Sequence, residues 1–592
     1  MSIGARESTL YELLWDANVY YVPIYQRNYS WDKEQTSRLW ETIYTAATDQ
    51  QDYFLGSVVL VETGSQQILE VLDGQQRIAT LLLLLAAFSK HLAASTDQPC
   101  QDANALIGRA LRVVVNGTIP PGTPFQPGMQ PHMHLNDQDH QFYADTISGA
   151  SPEPRHSSHR LIKKAFAYFD AQIKAELRNG RWNSPSHFWD AIASALTQHL
   201  LYVRISVNNI STAQAVFESL NSAGLDLTKA DLIKNYLLMN IPSHQHTLAL
   251  AEWTNAANTL GETVDLTAYI RAFWNSAVEF VRTDRLYEEL REVVVPNPSP
   301  TPSANPRTGK TPPFQMLPMK FLQELSADAE IQYRLAMPEM SFWSDSALCR
   351  DLEDLRDLGA MTVWVPLMAA YRATAGASAT LRFADVVRQF LTLHVRYIVV
   401  GIGTANAVEQ KYSEWAIRMR KDPAELPVIM DTIRNLIPAD ADFRNDMLRF
   451  TTKRLKTARV MLARINDQDA PKTGVGGGAA APSVISQTIR DGSTVHVEHV
   501  IPQDATQWAD FLKTEGLAHE DVVDELANLT LLLGARNISI SNKPFDQKKV
   551  EYANASGDIN YLLANASQFG AAELQARKDQ LADWALITWP RP

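Results

Sequence analysis

The stretch Glu498-His499-Val500-Ile501-Pro502-Gln503 places a carboxylate beside an imidazole, directly before two apolar residues and a proline. Two asparagines follow downstream, Asn528 and Asn537, nine residues apart. Carboxylate and amide oxygens are hard ligands of the kind that Mg²⁺ prefers, and a neutral imidazole can take a proton from water. The stretch therefore predicts a centre that holds one divalent metal, Mg²⁺ or Mn²⁺, and activates one water.

The residues around this stretch predict a hairpin followed by a helix. Residues 494–501 alternate as a strand does, with His496 and Glu498 on one face and His499 on the other. Asn528 begins a short apolar segment ahead of a helix. Two strands and a helix can surround a metal ion in this way. The alternative is an ordinary strand with structural asparagines.

Each polar residue of the hairpin has a predicted role in phosphodiester chemistry. The expected roles are general base for His499, orientation of its imidazole for Asn528, and metal ligation for Glu498 and Asn537. Asn542 is a rival for the third ligand position, and Lys543 or Lys548 can contact phosphate.

Two segments precede the predicted metal centre. A Gly/Ala-rich linker covers residues 471–484, and a predicted helix covers residues 441–466. The helix carries Arg449, Lys453 and Lys456 on one face. Cationic side chains on a helix most often form a solvated face, but their place before the metal centre makes DNA contact an equal alternative.

A second polar motif, Asp73-Gly74-Gln75-Gln76-Arg77, lies between a predicted strand and a predicted helix near the N-terminus. Backbone N–H groups and an arginine at a helix N-terminus suit an anion such as phosphate. A capped helix start with a structural aspartate is the alternative. The predicted elements of this region are a helix over 33–45, strands over 53–62 and 67–72, and a helix over 78–90.

The middle of the chain is mostly helical by its apolar spacing. The predicted elements are helices over 161–177, 211–221 and 229–239 and a strand over 201–207. The predicted domains are residues 1–240, a helical domain over 241–470 with a Pro-rich loop at 293–313, the linker at 471–484, and a C-terminal domain over 485–592.

The composition is that of a soluble multidomain protein. A chain of 592 residues exceeds one hydrophobic core, and 45% hydrophobic with 20% charged residues is ordinary. With two cysteines, no signal peptide and no apolar run long enough to span a bilayer, we expect a cytoplasmic location without membrane association. The net charge of −12 argues against a general nucleic-acid-coating protein, so DNA contact must come from local basic patches.

Several stretches together resemble one family of proteins. VPIYQRNYSW (22–31), LDGQQR (72–77) and FESLNSAGLDLTKADLIKN (217–235) are similar to the ParB-like N-terminal domain of the GmrS/GmrD restriction family, which is also found in the SspE and BrxU defence proteins. EHVIPQ, NLTLL and SNKPFDQK (541–548) look like the HNH domain that closes these proteins. One departure is Glu498, where many HNH enzymes have aspartate.

The resemblance implies a nucleotide site near the N-terminus. Its residues would be Tyr25, Gln26, Arg27, Asp73, Gly74, Gln75, Gln76 and Arg77, around the phosphates of GTP or ATP. Several family members hydrolyse the nucleotide. The fold class that follows is a mainly α multidomain chain with α+β parts: a ParB-like α/β N-terminal domain, a helical middle domain and a C-terminal ββα-metal HNH domain.

The sequence therefore predicts an anti-phage restriction enzyme that senses modified double-stranded DNA and nicks or cleaves it under the control of an NTP. The modifications read within the family are phosphorothioate linkages and glucosylated hydroxymethylcytosine. One alternative is a nucleotide-gated DNA-binding regulator with a silent HNH domain. Another is a toxin-like nuclease that ignores modification. The sequence leaves the oligomeric state open, with a homodimer as one option.

Overall fold

Helices make up most of the described chain, and the one large sheet lies in its N-terminal part. The computed structural model describes residues 3–24, 26–62, 67–115, 128–207, 228–305, 309–375, 381–467, 495–554 and 558–592. Tyr25, the predicted helix over 211–221 and the predicted linker at 471–484 lie outside these residues. The expectation of a mainly α multidomain chain with α+β parts is confirmed, and its main sheet is mixed.

The chain forms two compact units. The first consists of residues 1–253 with 291–302 and 314–322, and the second of residues 254–290 with 303–313 and 323–592. None of the described helices is long and apolar enough to cross a membrane.

The first unit contains a mixed sheet and a small separate ladder. Its strands are β1 (Ile3–Thr9), β2 (Val19–Tyr21), β3 (Tyr53–Glu62), β4 (Ile68–Asp73), β5 (Arg112–Val115), β6 (Gly128–Pro131), β7 (Met133–His134) and β8 (Leu200–Val207). Six of them form a sheet in the order β1-β8-β3-β4-β2-β7, while β5 pairs with β6. Neighbours β3 and β8 are parallel, and β3 and β4 are antiparallel. The strands predicted over 53–62 and 201–207 are therefore adjacent.

Eight helices are described in the first 240 residues. They are α1 (Leu10–Leu14), α2 (Lys33–Asp49), α3 (Gln75–Ala93), α4 (Gln98–Leu111), α5 (Asp137–Ile147), α6 (Ser157–Arg178), α7 (Pro185–Gln198) and α8 (Lys229–Met239). Helix α2 begins where predicted because Asp32 and Gln35 form a capping box. Residues 78–88 of α3 are buried at every position, so this helix is the centre of the unit's hydrophobic core.

Helices continue through the rest of the chain. They are α9 (His246–Leu260), α10 (Leu266–Ala277), α11 (Leu286–Val293), α12 (Pro318–Ala336), α13 (Met340–Trp343), α14 (Ser346–Asp357), α15 (Trp364–Thr374), α16 (Phe383–Leu393), α17 (Ala405–Lys421), α18 (Leu426–Leu436), α19 (Asp440–Met447), α20 (Leu455–Asp467), α21 (Ala509–Glu515), α22 (His519–Val522), α23 (Gly534–Ile540), α24 (Phe545–Asn554), α25 (Tyr561–Asn565) and α26 (Ala571–Thr588). Strands β9 (Val495–His499) and β10 (Leu529–Leu533) form an antiparallel pair.

The single helix predicted over 441–466 is wrong. Two helices, α19 and α20, occupy this region with a break between them. In the break Thr451 forms a bridge with Glu525, and the backbone N–H of Thr452 donates to the carbonyl of Asp524 at 2.8 Å. Backbone pairing with a distant segment therefore replaces the helical hydrogen bonds that local spacing predicted.

Candidate active site

The C-terminal motif lies at the end of a strand pair. His499 is the last residue of β9 and faces Leu529 of β10, and Glu498 faces Thr530. The backbone N–H of Val500 then donates to the carbonyl of Asn528 at 2.9 Å. The chain leaves the ladder directly after His499, and β10 continues into helix α23. The predicted order of two strands and a helix is present in these elements.

Asn528 holds the turn that follows β9. This residue is fully buried, and its Oδ1 accepts the backbone N–H of Ile501 at 2.8 Å. Its Nδ2 donates to the carbonyls of Ile501 and Val523, both at 3.0 Å. The carboxamide is committed to the backbone and not to the imidazole of His499. The expectation that Asn528 orients the imidazole directly is corrected: it fixes the chain beside His499.

The side chain of His499, directly before this turn, is half-buried. Burial lowers its pKa below the ordinary value of 6.5. The charges of Lys548 and His519 lower the pKa further, while Asp524 raises it. An imidazole in this environment is neutral near pH 7 and is able to accept a proton.

Glu498 meets a lysine that was predicted to contact phosphate. Its Oε1 accepts a hydrogen bond from Nζ of Lys548 at 2.6 Å, and Lys548 is fully buried. The same ammonium donates to the carbonyls of His499 at 2.8 Å and Val500 at 3.2 Å. Burial raises the pKa of Glu498 and lowers that of Lys548, and their mutual attraction opposes both changes. Lys548 of α24 is therefore buried against the turn and does not face a phosphate.

The two candidate third ligands lie in different surroundings. Asn537 is half-buried in α23. Asn542 lies beyond that helix and donates from Nδ2 to the exposed Asp504 at 3.2 Å. Lys543 is exposed and its backbone N–H donates to the carbonyl of Ile540.

A divalent metal fits this donor set only in part. The amide oxygen of Asn537 has the hard character that Mg²⁺ prefers. Oε1 of Glu498 already accepts a hydrogen bond from the ammonium of Lys548 at 2.6 Å, which makes that oxygen a poor ligand. Within the described ranges, no group of three or more His, Cys, Asp or Glu side chains is arranged to hold a metal ion.

The two N-terminal motifs meet in space. Nε2 of Gln26 donates to the carbonyl of Leu72 at 3.1 Å. Gln76 binds the same segment twice, since its Oε1 accepts the N–H of Ser30 at 2.8 Å and its Nε2 donates to the carbonyl of Asn28 at 3.2 Å. Residues separated by 46 or 48 positions are thereby joined. Both glutamines are buried, so they connect the two motifs instead of projecting toward a ligand.

The turn between β4 and α3 holds the charged residues of the motif. Burial raises the pKa of Asp73, and the charges of Arg77 and Arg27 oppose that change. Arg77 donates from Nη1 to the carbonyl of Ser57 at 3.0 Å. Gln75 is only 6% exposed, and its Oε1 has no hydrogen-bond partner among the described residues. This oxygen, at the start of a 19-residue helix, lacks the donor that a buried polar atom usually has.

Sequence reasoning missed Gly56 at this site. Its φ is +87°, and a Cβ there would lie 3.2 Å from Nη2 of Arg77. Strand β3 changes register between Phe54 and Ser57. A glycine inside a strand pattern is the available signal, because it marks a bulge or a close approach. Because Gly56 has no side chain, the guanidinium of Arg77 can lie against the strand at this bulge.

The predicted DNA-contact residues do not share one helix face. Arg449 and Lys453 lie in the break between α19 and α20, and both are exposed. Lys453 is 4.0 Å from Asp524. Lys456 lies in the first turn of α20 and pairs with Asp357 at 3.1 Å. Of these three residues, Arg449 and Lys453 lie in an irregular, exposed segment.

Comparison with known families gives two matches. The family model described as GmrSD restriction endonuclease, N-terminal domain, matches residues 10–238. The model described as GmrSD restriction endonucleases, C-terminal domain, matches residues 437–584. Both motif sites lie inside the matched residues. A search of curated proteins found no match.

Proposed function

We propose, from the premise that this chain belongs to the GmrSD restriction endonuclease family, that it is a nuclease that cleaves DNA at a centre built around His499. The observation that carries the proposal is the fixed turn after β9. There Asn528 holds Ile501 through both halves of its carboxamide while His499 stands half-buried at the strand end. A strand pair followed by α23 is the framework that an HNH-type centre requires.

His499 would act as the general base. Its lowered pKa keeps the imidazole neutral near pH 7, so a ring nitrogen can take a proton from water. The oxygen of that water attacks the phosphorus, and the phosphorus–oxygen bond on the opposite side breaks. The hydrogen-bonded turn holds the base in a fixed position. This matters because a displaced base loses most of its effect on the rate.

Nicking of supercoiled plasmid DNA with Mg²⁺ or Mn²⁺ tests this proposal. His499→Ala should remove nicking, because it removes the imidazole that lies at the end of β9. His244→Ala is the matched control, since it removes an exposed histidine and should nick like the parent. Nicking by His499→Ala at the parent rate would refute the mechanism.

A second function, binding of a nucleoside triphosphate, is proposed for the N-terminal motifs. The hydrogen bonds that bring residues 26–30 to residues 72–76 support it, because they join the two motifs in one place. Arg27 and Arg77 supply positive charge near the N-terminus of α3, where phosphate is favoured. GTP and ATP are the candidate ligands, and Tyr25 belongs to the same motif.

Hydrolysis assays with GTP and with ATP separate the two functions. Arg77→Ala and Asp73→Asn should each lower nucleotide turnover, while His499→Ala should leave it unchanged. Arg38→Ala, which removes an exposed arginine of α2, is the control for charge. Equal turnover by Arg77→Ala and the parent would refute the assignment of this site.

Regulation of cutting by modified DNA is the remaining part of the proposal. Unmodified, phosphorothioate and glucosylated DNA should be compared with and without GTP or ATP. Preferential cleavage of one modified substrate supports a modification-dependent restriction enzyme. Equal cleavage of all three supports the toxin-like nuclease, and binding without any cleavage supports the silent regulator.

A further inference from the structure

A single buried ammonium organises the turn that carries His499. Lys548 is fully buried in α24 and has three oxygen partners. They are Oε1 of Glu498 at 2.6 Å and the carbonyl oxygens of His499 at 2.8 Å and Val500 at 3.2 Å. A lysine ammonium has three protons to donate, so this set uses all of them. Nothing in the geometry leaves Lys548 available to a substrate.

Two side chains thereby fix three consecutive residues. Lys548 holds the carbonyls of His499 and Val500, and Asn528 holds the N–H and the carbonyl of Ile501. Irregular backbone that is buried must find partners of this kind, since an unpaired carbonyl is costly. The direction in which the His499 side chain leaves the strand is therefore set from both sides of the turn.

The carboxylate of Glu498 completes the arrangement by neutralising the buried ammonium. A buried lysine without a counter-charge is strongly disfavoured, and removing one partner of a buried pair costs more than removing both. The hydroxyl of Tyr552 also lies 3.5 Å from the same Oε1. This oxygen already has two donors, so it is poorly suited to a third, cationic partner.

A metal ion bound to Glu498 would lie close to the positive charge of Lys548. Mg²⁺ binds carboxylate oxygen at about 2.1 Å. Since Nζ of Lys548 is 2.6 Å from Oε1, a metal on that oxygen would lie within about 5 Å of the ammonium. The two cations would repel each other at that separation. A metal bound through Oε1 would therefore compete with the contact that Lys548 makes to the same oxygen.

We propose that Glu498 is a positioning residue, paired with Lys548 to hold the His499 turn, and that it does not ligate the divalent metal. The inference rests on the proposed nuclease function. It deepens that function by separating the residues that hold the general base from those that hold the metal. The metal's protein ligands then come from elsewhere in the site, with Asn537 and its rival Asn542 as the remaining candidates.

Metal binding by the full chain is the direct test. Mn²⁺ is titrated into the parent, Glu498→Gln and Asn537→Ala, and binding is followed by calorimetry or by the electron paramagnetic resonance of free Mn²⁺. We expect the Kd of Glu498→Gln to stay within about twofold of the parent. If Glu498 bound the metal, or even supported one of its ligands, the substitution would weaken binding by roughly tenfold or more. A tenfold or greater weakening in Glu498→Gln would overturn the proposal.

Nicking rates at saturating metal supply the second readout. Glu498→Gln and Lys548→Met should each lower kcat, because the turn loses its internal pair, and the loss should remain when the rate is corrected for the folded fraction. In the Lys548→Met background, Glu498→Gln should add little, since the two groups act as a unit. Multiplicative losses would instead mean independent roles and would contradict the inference.

Two comparisons keep the result interpretable. Lys549→Met, one residue along the same helix and half-buried, should nick and bind Mn²⁺ like the parent. Tighter Mn²⁺ binding by Lys548→Met would identify Lys548 as a competitor of the metal and would overturn the proposal. Absence of nicking by the parent protein would refute the proposed nuclease function. The unfolding temperatures of the two single variants and the double variant would still report whether the pair is coupled.

Discussion

At the scale of single residues, buried polar groups decide how the candidate centre is built. Asn528 uses both halves of its carboxamide on the backbone of Ile501, and its Nδ2 also reaches the carbonyl of Val523. Such a residue cannot be exchanged for an apolar one without leaving several backbone groups unpaired. The asparagine is therefore a determinant of local backbone geometry as much as of chemistry.

Asn528→Ala should destabilise the protein and remove nicking together. The variant leaves the N–H and carbonyl of Ile501 and the carbonyl of Val523 without their partner, at a cost of about 3 kcal/mol or more. Thermal unfolding and plasmid nicking measure the two effects. Asn542→Ala, which loses one hydrogen bond to the exposed Asp504, is the control for stability and should shift the unfolding temperature little.

The sequence predicted which residues gather at this site but not how they are paired. The nine-residue step from Asn528 to Asn537 and the EHVIPQ motif placed the strands and the helix correctly along the chain. The partner of Glu498 was predicted to be a metal, and the structure places Lys548 there. Lys548 lies 50 residues away, and charge pairing over that distance has no signature in local spacing.

Two stacked histidines give the first unit a predicted dependence on pH. The rings of His134 and His140 lie 3.4 Å apart, and burial lowers the pKa of each to about 4. Asp137 and Asp145 partly oppose this for His140. In the unfolded chain each histidine titrates near 6.5 and therefore binds more protons than the folded chain between about pH 6.5 and 4. The free energy of unfolding falls as pH falls through that window.

The measurement is the unfolding temperature at pH 7 and pH 5. Each lowered pKa corresponds to at most about 3 kcal/mol when the pH has fallen to 4. His140→Phe should keep the ring contact with His134 and reduce the loss of stability at pH 5. His244→Phe, at an exposed position, should not change it. The same loss in His140→Phe and the parent would contradict the assignment.

At the scale of elements, the helices and strands with strong local signals formed where they were predicted. The helix predicted over 229–239 is α8, and the strand predicted over 53–62 is β3. Thr228 and Asp231 cap α8 through a capping box, which is a signal carried by neighbouring residues. The 441–466 prediction failed where backbone pairing between Thr451 and Glu525 interrupted the helix. Local capping is readable in a sequence, whereas pairing with a distant segment is not.

Gly74 at the junction of β4 and α3 should not tolerate a side chain. Its φ is +88°, and a Cβ would lie 2.9 Å from Cγ2 of Val58 and 3.3 Å from the carbonyl of Ser57. Gly74→Ala should therefore carry both a backbone cost of about 1 kcal/mol and a steric cost. Gly149→Ala isolates the first cost, because its φ is +86° and nothing lies within 4 Å of its Cβ position.

Thermal unfolding compares the two glycine variants. Gly74→Ala should lower the unfolding temperature more than Gly149→Ala, and Val58→Ala in the Gly74→Ala background should recover part of the difference. Equal shifts for the two single variants would mean that the space beside Val58 adjusts without cost. Nucleotide turnover by Gly74→Ala then reports whether the turn must keep this path to bind phosphate.

At the scale of the whole molecule, an acidic chain carries two motif sites in two separate compact units. The N-terminal motifs lie in the first unit, and the His499 turn lies in the second. With a net charge of −12, the chain as a whole repels DNA. Affinity for DNA must therefore come from a few cations at the contact itself, and their number is measurable from the salt dependence of binding.

Arg449 and Lys453 are two cations that we expect to contact DNA phosphates. Both are exposed in the break between α19 and α20, whereas Lys456 already pairs with Asp357 at 3.1 Å. Arg449→Glu with Lys453→Glu should weaken DNA binding and reduce the slope of log K against log salt by about 2, one for each lost phosphate contact. Lys456→Glu alone should change the slope less. Because phosphate contacts are independent of the bases, the double variant should lose affinity equally for unmodified DNA and for DNA with glucosylated bases. An unchanged slope would place the DNA contact on other residues, and a loss confined to modified DNA would assign these two cations to recognition of the modification.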